Sequence, residues 1–358
     1  MATDIKVCDS TTLETRPTEK QPYQPIVWRN VILCSLVHLG ALYGIYLVFT
    51  SAKITTTVFA IGLYQISAIG ITAGAHRLWS HRAYKAKWQL RLIIITLNTI
   101  AFQAIHRGLT DCHILQNSVY DWARDHRLHH KYCDTNADPH NSNRGLFFSH
   151  VGWLLCRKHP DVIEKGRTID TSDLLADPIV AFQKKYFWFL ITWACFIIPT
   201  LIPVYCWGET WSNSWYVAVL LRYTLSLNAI WLVNSAAHAW GGKPYDRFIN
   251  ASENLVASIL SVGEGWHNYH HVFPWDYKTA ELGNYHFNYT TAFIDLFAKI
   301  GWAYDMKTSS TELVRKRASR TGLVDSGGDP VPLPWGWDDK DCPQSDRMEA
   351  TIINRKQG

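Results

Sequence analysis

The sequence predicts an all-α integral membrane protein, with four transmembrane helices under a cytosolic helical cap that holds a histidine-rich metal centre. Three observations predict it. The 358-residue chain has four apolar stretches, 31–49, 54–75, 186–207 and 215–239, each near the roughly 20 residues that cross a bilayer as a helix. Lys and Arg are distributed unevenly between the segments that join them. Eight of the sixteen His fall in three short clusters.

The first stretch, Val31 to Phe49, is interrupted only by small or polar residues such as Ser35 and His38. A turn around Ser51 and Lys53 separates it from the second. The mean hydropathy of −0.10 understates the membrane character, because the hydrophilic stretches 76–185 and 240–358 lower the average. Seventeen Trp suit a chain seated at a membrane interface. Residues 1–25 form a polar segment with no apolar core of a signal peptide, so insertion is expected to use the internal stretches.

Charge sets the orientation. Residues 76–185 carry sixteen Lys and Arg and the region from 240 onward thirteen, against one in the turn at Lys53 and none in 208–214. The positive-inside bias places both termini and the central region in the cytosol. A fifth apolar stretch, Leu90 to Ile105, is short for a crossing. A crossing there would also put the histidine clusters on opposite faces. An in-plane or re-entrant helix over about 90–105 is therefore expected. The membrane domain spans 26–320, and 321–358, with Gly-Gly and several Pro, reads as a loose cytosolic tail. The net charge of +5 is too small to indicate a nucleic acid. The eight Cys include no CxxC pair, which argues against a zinc knuckle or a disulfide framework.

The clusters are His76 and His81; His126, His129 and His130; and His267, His270 and His271. In the last two, positions i, i+3 and i+4 share one helical face, so one turn can aim three imidazoles at a common point. His76 and His81 lie five apart, about 140° around an ideal helix, and need a widened turn or a helix end. His238 closes the fourth apolar stretch and reaches the same face as a ninth. Asn234, one turn earlier, could hold a metal-bound water. Imidazole suits zinc, copper, iron or nickel, and nine ligands exceed one ion, so two ions are implied. Two irons in such a nitrogen-rich site could activate dioxygen toward an unactivated C–H bond.

Five runs carry a resemblance: Gly-Ile-Thr-Ala-Gly-Ala-His at 70–76, Asp-His-Arg-Leu-His-His-Lys at 125–131, Thr-Asn-Ala-Asp-Pro-His-Asn at 135–141, Asn-Ser-Ala-Ala-His at 234–238 and Gly-Glu-Gly-Trp-His-Asn-Tyr-His-His at 263–271. Together they resemble the membrane stearoyl-CoA-type (acyl-CoA) fatty acid desaturases, over about 24–320. The short N-terminus and the Arg-Thr-Gly at 320–322 are similar to the insect branch. The resemblance implies a di-iron centre in the cap. One iron would take His76, His81, His126, His130 and His270. The other would take His129, His238, His267 and His271, with Asn234 through water. It also implies acyl-CoA contacts at Asn30, Asn117, Arg124, Asp125, Arg157, Lys158 and Trp231. Trp122 would shape the bend of an acyl tunnel, and Tyr64 and Ala68 its closed end; ordinary helix packing is the alternative for that last pair. The implied reaction is O2-dependent insertion of a double bond into a long-chain acyl-CoA, with electrons from cytochrome b5, in the endoplasmic reticulum membrane. Δ9 is the default position and Δ11 the alternative.

In one place the chain departs from the family. Ala-Phe-Gln ordinarily runs straight into Asn-x-x-Tyr-x-Trp, but here Ala104 to Gln116 separate Gln103 from Asn117. The insert carries His106 and His113 and is expected to be a surface loop. Two other functions compete. A membrane fatty-acyl hydroxylase would share the metal centre and differ after the first hydrogen abstraction. A metal transporter would place its ligands at bilayer depth, whereas these clusters lie at or beyond the helix ends.

Overall fold

The computed structural model describes residues 24–102, 118–281, 285, 287–322, 329–331 and 333–356. The insert at 104–116 and Asn117 lie outside them. Among the described residues, four helices are long and apolar enough to cross a membrane: Trp28–Thr50, Ile54–Ser80, Phe187–Trp207 and Trp211–Ala239. The fourth begins before its apolar run because Thr210 caps it, its hydroxyl accepting from the Asn213 N–H. Leu36, Leu39, Leu42, Phe49 and Ile61 on the outer faces are exposed, as lipid-facing residues must be. Exposed Trp28, Trp211 and Trp240 stand at helix ends, where an amphipathic ring is best placed.

Close packing holds the bundle, because lipid gives helices little hydrophobic reason to associate. A Cβ on Gly44 of the first helix would lie 2.4 Å from the Tyr216 carbonyl of the fourth. At the far end, the Lys53 N–H, the Thr56 hydroxyl, the Thr210 N–H and the Asn213 amide all donate to buried Glu209. That carboxylate ties the two short turns together.

The second helix runs on to Ser80 because its last eleven residues, Gly70–Ser80, adopt a π-helical winding. The i→i+5 bonding of a π-helix stacks residues five apart. This is the widened turn that His76 and His81 require, and the His81 N–H bonds the His76 carbonyl at 3.2 Å. The short apolar helix, Trp88–Ala101, doubles back along the second helix. Gly70 meets Leu97 and Asn98 while Gly74 meets Ile94, an antiparallel pairing.

The segment expected as a loose tail is different in the structure. Strand Thr351–Ile353 pairs antiparallel with Met306–Thr308, and Trp335, Asp339 and Cys342 are buried. Gly336 sits at a bend there, and the Trp335 and Cys342 side chains supply buried apolar surface.

Candidate metal centre

Four elements deliver nine imidazoles to one place. The π-helical end of the second helix brings His76, with His81 just past it. Helix Val119–Lys131 brings His126, His129 and His130. Its start is fixed by Ser118, whose hydroxyl accepts from the Asp121 N–H and donates to the Asp121 carboxylate. The fourth long helix ends with His238, and the short helix His267–Val272 carries the last three. All nine are buried.

They fall into two groups whose ligand atoms lie within 4.8 Å of one another: His76, His81, His126, His130 and His270, and His129, His238, His267 and His271. In the first, His76 and His270 bring their Nε2 atoms to 2.9 Å, as do His81 and His126. In the second, His267 Nε2 lies 3.0 Å from Nε2 of both His238 and His271. His130 stacks on His271 with ring centroids 4.2 Å apart, which joins the groups.

The opposite ring nitrogens set the tautomers. His129 Nδ1 donates to Asp138 at 2.9 Å, and His81 Nδ1 donates to the Trp335 carbonyl. His76 Nδ1 stands 2.9 Å from Glu264 Oε2, off the ideal hydrogen-bond line. His238 Nδ1 lies 3.5 Å from Asp134. A neutral imidazole with its proton on Nδ1 presents a lone pair at Nε2. Several lone pairs converging at 3 Å repel unless a cation sits between them. Nitrogen donors backed by carboxylates or carbonyls are what such a metal site needs, so the residues fit a pair of cations.

Electrostatics agrees. Burial, and then repulsion among neighbouring rings, holds His81, His126, His130, His267, His270 and His271 well below the usual imidazole range, so their lone pairs are free. Burial acts on His129 in the same sense, but the Asp138 carboxylate outweighs it and raises that ring. Burial pushes Glu264 up, yet Arg77 and His76 bring it below the ordinary carboxylate range. Arg77 itself is fully buried and bonds Glu264 at 2.8 Å.

The residues expected to meet substrate cluster in part. Asp125 Oδ1 accepts from Arg124 at 2.9 Å and Oδ2 from Lys158 at 2.5 Å. Arg157 and Lys158 line a small cleft with Arg144, Asn136 and Asn141. Asn30 is buried and donates to the Leu154 carbonyl at 2.7 Å. Trp231 is buried between His38 and His150. Trp122 stacks on His126, centroids 4.7 Å apart, against the first group. Ala68 is buried, and Tyr64 donates its hydroxyl to the Leu260 carbonyl. Asn234 is half-buried one turn before His238.

The family model for fatty acid desaturases matches residues 52–293, a range that holds all nine histidines. The chain belongs to the fatty acid desaturase family. It is 61% identical over 344 residues to the acyl-CoA Delta-9 desaturase of Acheta domesticus, covering 95% of this chain and 90% of that one. It is 52% identical over 345 residues to the acyl-CoA Delta(11) desaturase of Trichoplusia ni, covering 96% and 93%. With the stearoyl-CoA desaturase of Homo sapiens it shares 55% over 306 residues, 86% of this chain and 80% of that one.

Sequence reasoning missed the groups behind the imidazoles: Glu264, Asp138, Asp134 and the Trp335 carbonyl. For the acids a signal existed. Glu264 lies three residues before His267, and Asp138 lies in the 135–141 run, and a buried acid beside histidines calls for a partner. The Trp335 carbonyl is backbone and carries no residue-level signal.

Proposed function

We propose that this membrane-embedded member of the desaturase family inserts a double bond into a long-chain fatty acyl-CoA, using two irons and dioxygen. The reading is carried by the two groups of converging imidazole lone pairs, in a chain whose relatives are named acyl-CoA desaturases. Removal of two hydrogens from adjacent carbons, with O2, two electrons and two protons, yields the alkene and two waters. Bound iron would supply the dioxygen activation. The nine histidines are the proposed ligands, with Asn234 reaching the second iron through water.

The protein's own residues position and exclude. Arg157, Lys158 and Arg144 give the cleft a cationic lining suited to phosphates of the CoA group. Asp125, beside His126 in the chain, accepts from Lys158 of that cleft and from Arg124, and both Arg124 and Asp125 are proposed to meet the thioester end. Trp122, flat against His126, walls the reacting carbons from water, and a bent tunnel holds them in place. Cytochrome b5 is the proposed electron donor. Both termini and the cap face the cytosol, in the endoplasmic reticulum membrane.

Δ9 is the default position and Δ11 the alternative. Expression in a desaturase-deficient yeast, with double-bond mapping of the lipids, tests the reading. A new Δ9 or Δ11 olefin is expected. Hydroxylated acyl chains would instead identify a hydroxylase, and unchanged lipids would refute both.

A further inference from the structure

His81 caps the C-terminal end of its helix. It follows the last π-helical residue, Ser80, and precedes Arg82, whose φ of 53° turns the chain away. Helix ends leave backbone groups unpaired and fray readily. Yet His81 is fully buried. Its hold comes from the far end of the chain. The Trp335 carbonyl accepts from Nδ1, and the Trp337 N–H donates to the His81 carbonyl at 3.1 Å. A Cβ on Gly336, between those two contacts, would lie 2.6 Å from the His81 carbonyl oxygen.

The turn is itself braced. Buried Asp339 accepts from the Trp335 N–H at 2.9 Å and faces Lys131 at 3.4 Å, one residue beyond His130. The Trp335 ring covers the guanidinium of Arg127, 4.3 Å from its centroid, and Arg127 grips the Trp79 and Ser80 carbonyls. The turn therefore touches both stretches of chain that bring His81 and His126 together.

We propose that the Trp335–Gly336–Trp337 turn is a positioning element of the metal centre. Its carbonyl fixes His81 with the proton on Nδ1, so that Nε2 joins the first group of five as a lone-pair donor. The inference rests on the two-metal reading above and adds a specific asymmetry. Loosening the turn weakens the first group and spares the second, with whose histidines it shares no hydrogen bond or ring contact among the described residues.

The test uses the purified full-length chain loaded with ferrous iron in detergent. Metal per chain, the rate of iron loss to a chelator and the thermal midpoint are measured for the unaltered protein and for Gly336→Val. The unaltered chain should hold about two irons. The variant should lose one of them about 10-fold or more faster, the size expected when a ligand's hydrogen-bond partner is removed, while the other leaves at the normal rate. Met348→Ala, an exposed change in the same segment, should match the unaltered chain. Should Gly336→Val not fold, Asp339→Asn carries the same test, since it keeps the residue's shape and removes the charge facing Lys131. Equal loss of both irons would mark a merely structural turn and overturn the proposal, as would two irons held as in the unaltered chain. An unaltered chain that does not hold two irons would overturn the two-metal reading, and this inference with it.

Discussion

Replacing Glu264 separates stability from metal binding, because its two oxygens face different partners. Oε1 accepts from Arg77 Nη2 at 2.8 Å and from Nε at 3.1 Å, and Oε2 stands 2.9 Å from His76 Nδ1. Both Glu264 and Arg77 are buried. Removing one partner of a buried ion pair costs about 3–5 kcal/mol. Arg77 keeps the Tyr277 carbonyl, Thr291 Oγ1 and Asn288 Oδ1 at 2.9, 2.9 and 3.1 Å, which places Glu264→Ala near about 3 kcal/mol. His76 would also lose the group that favours a proton on Nδ1, lowering metal affinity about 10–100-fold. Glu264→Gln divides the two effects. Its amide oxygen can still accept from Arg77, but its NH2 then faces His76 Nδ1 and draws the proton to Nε2. Thermal unfolding in detergent should show Gln recovering most of the stability lost in Ala, while metal analysis shows both variants depleted. A Gln variant that binds metal normally would refute the tautomer argument. An Ala variant as stable as the unaltered protein would refute the buried-pair argument.

Three other outcomes are expected. Charge reversal at Arg157 and Lys158 should raise the apparent KM for acyl-CoA with metal content intact, as read in a purified assay; an unchanged KM would remove the cleft from head-group binding. Tyr64 and Ala68 lie four residues apart on one face of the α-helical part of the second helix. Enlarging Ala68 should favour shorter acyl chains and Tyr64→Ala longer ones in competition assays, whereas plain packing predicts lower stability with unchanged preference. The third concerns acid. Burial would raise the Asp173 carboxyl, but Arg127 and Arg82 outweigh it and hold it at about 2 against an ordinary 3.8. A lowered carboxyl stabilises the fold above its unfolded value and loses that contribution as pH falls through the folded one, about 2 kcal/mol in all. Asp173→Asn should therefore flatten the fall in thermal midpoint between about pH 4 and pH 2, and an unaltered acid limb would discount the pair.

The sequence by itself determined whatever depends on neighbours along the chain. Four apolar runs of membrane length, the i, i+3, i+4 histidines and the need for a widened turn between His76 and His81 are all local. Each follows from helical geometry or from the length of an apolar stretch. The division of nine histidines into five and four came from resemblance, and the fold brings the same two groups together. Only the tertiary structure decided what stands behind them. Glu264 reaches His76 across 188 positions of chain, and the Trp335 carbonyl reaches His81 across 254. No periodicity spans such distances. The docking of 335–353 was illegible for the same reason. Its Gly and Pro signal turns, while its buried Trp335 and Asp339 have meaning only against Arg127 and Lys131, which folding brings there.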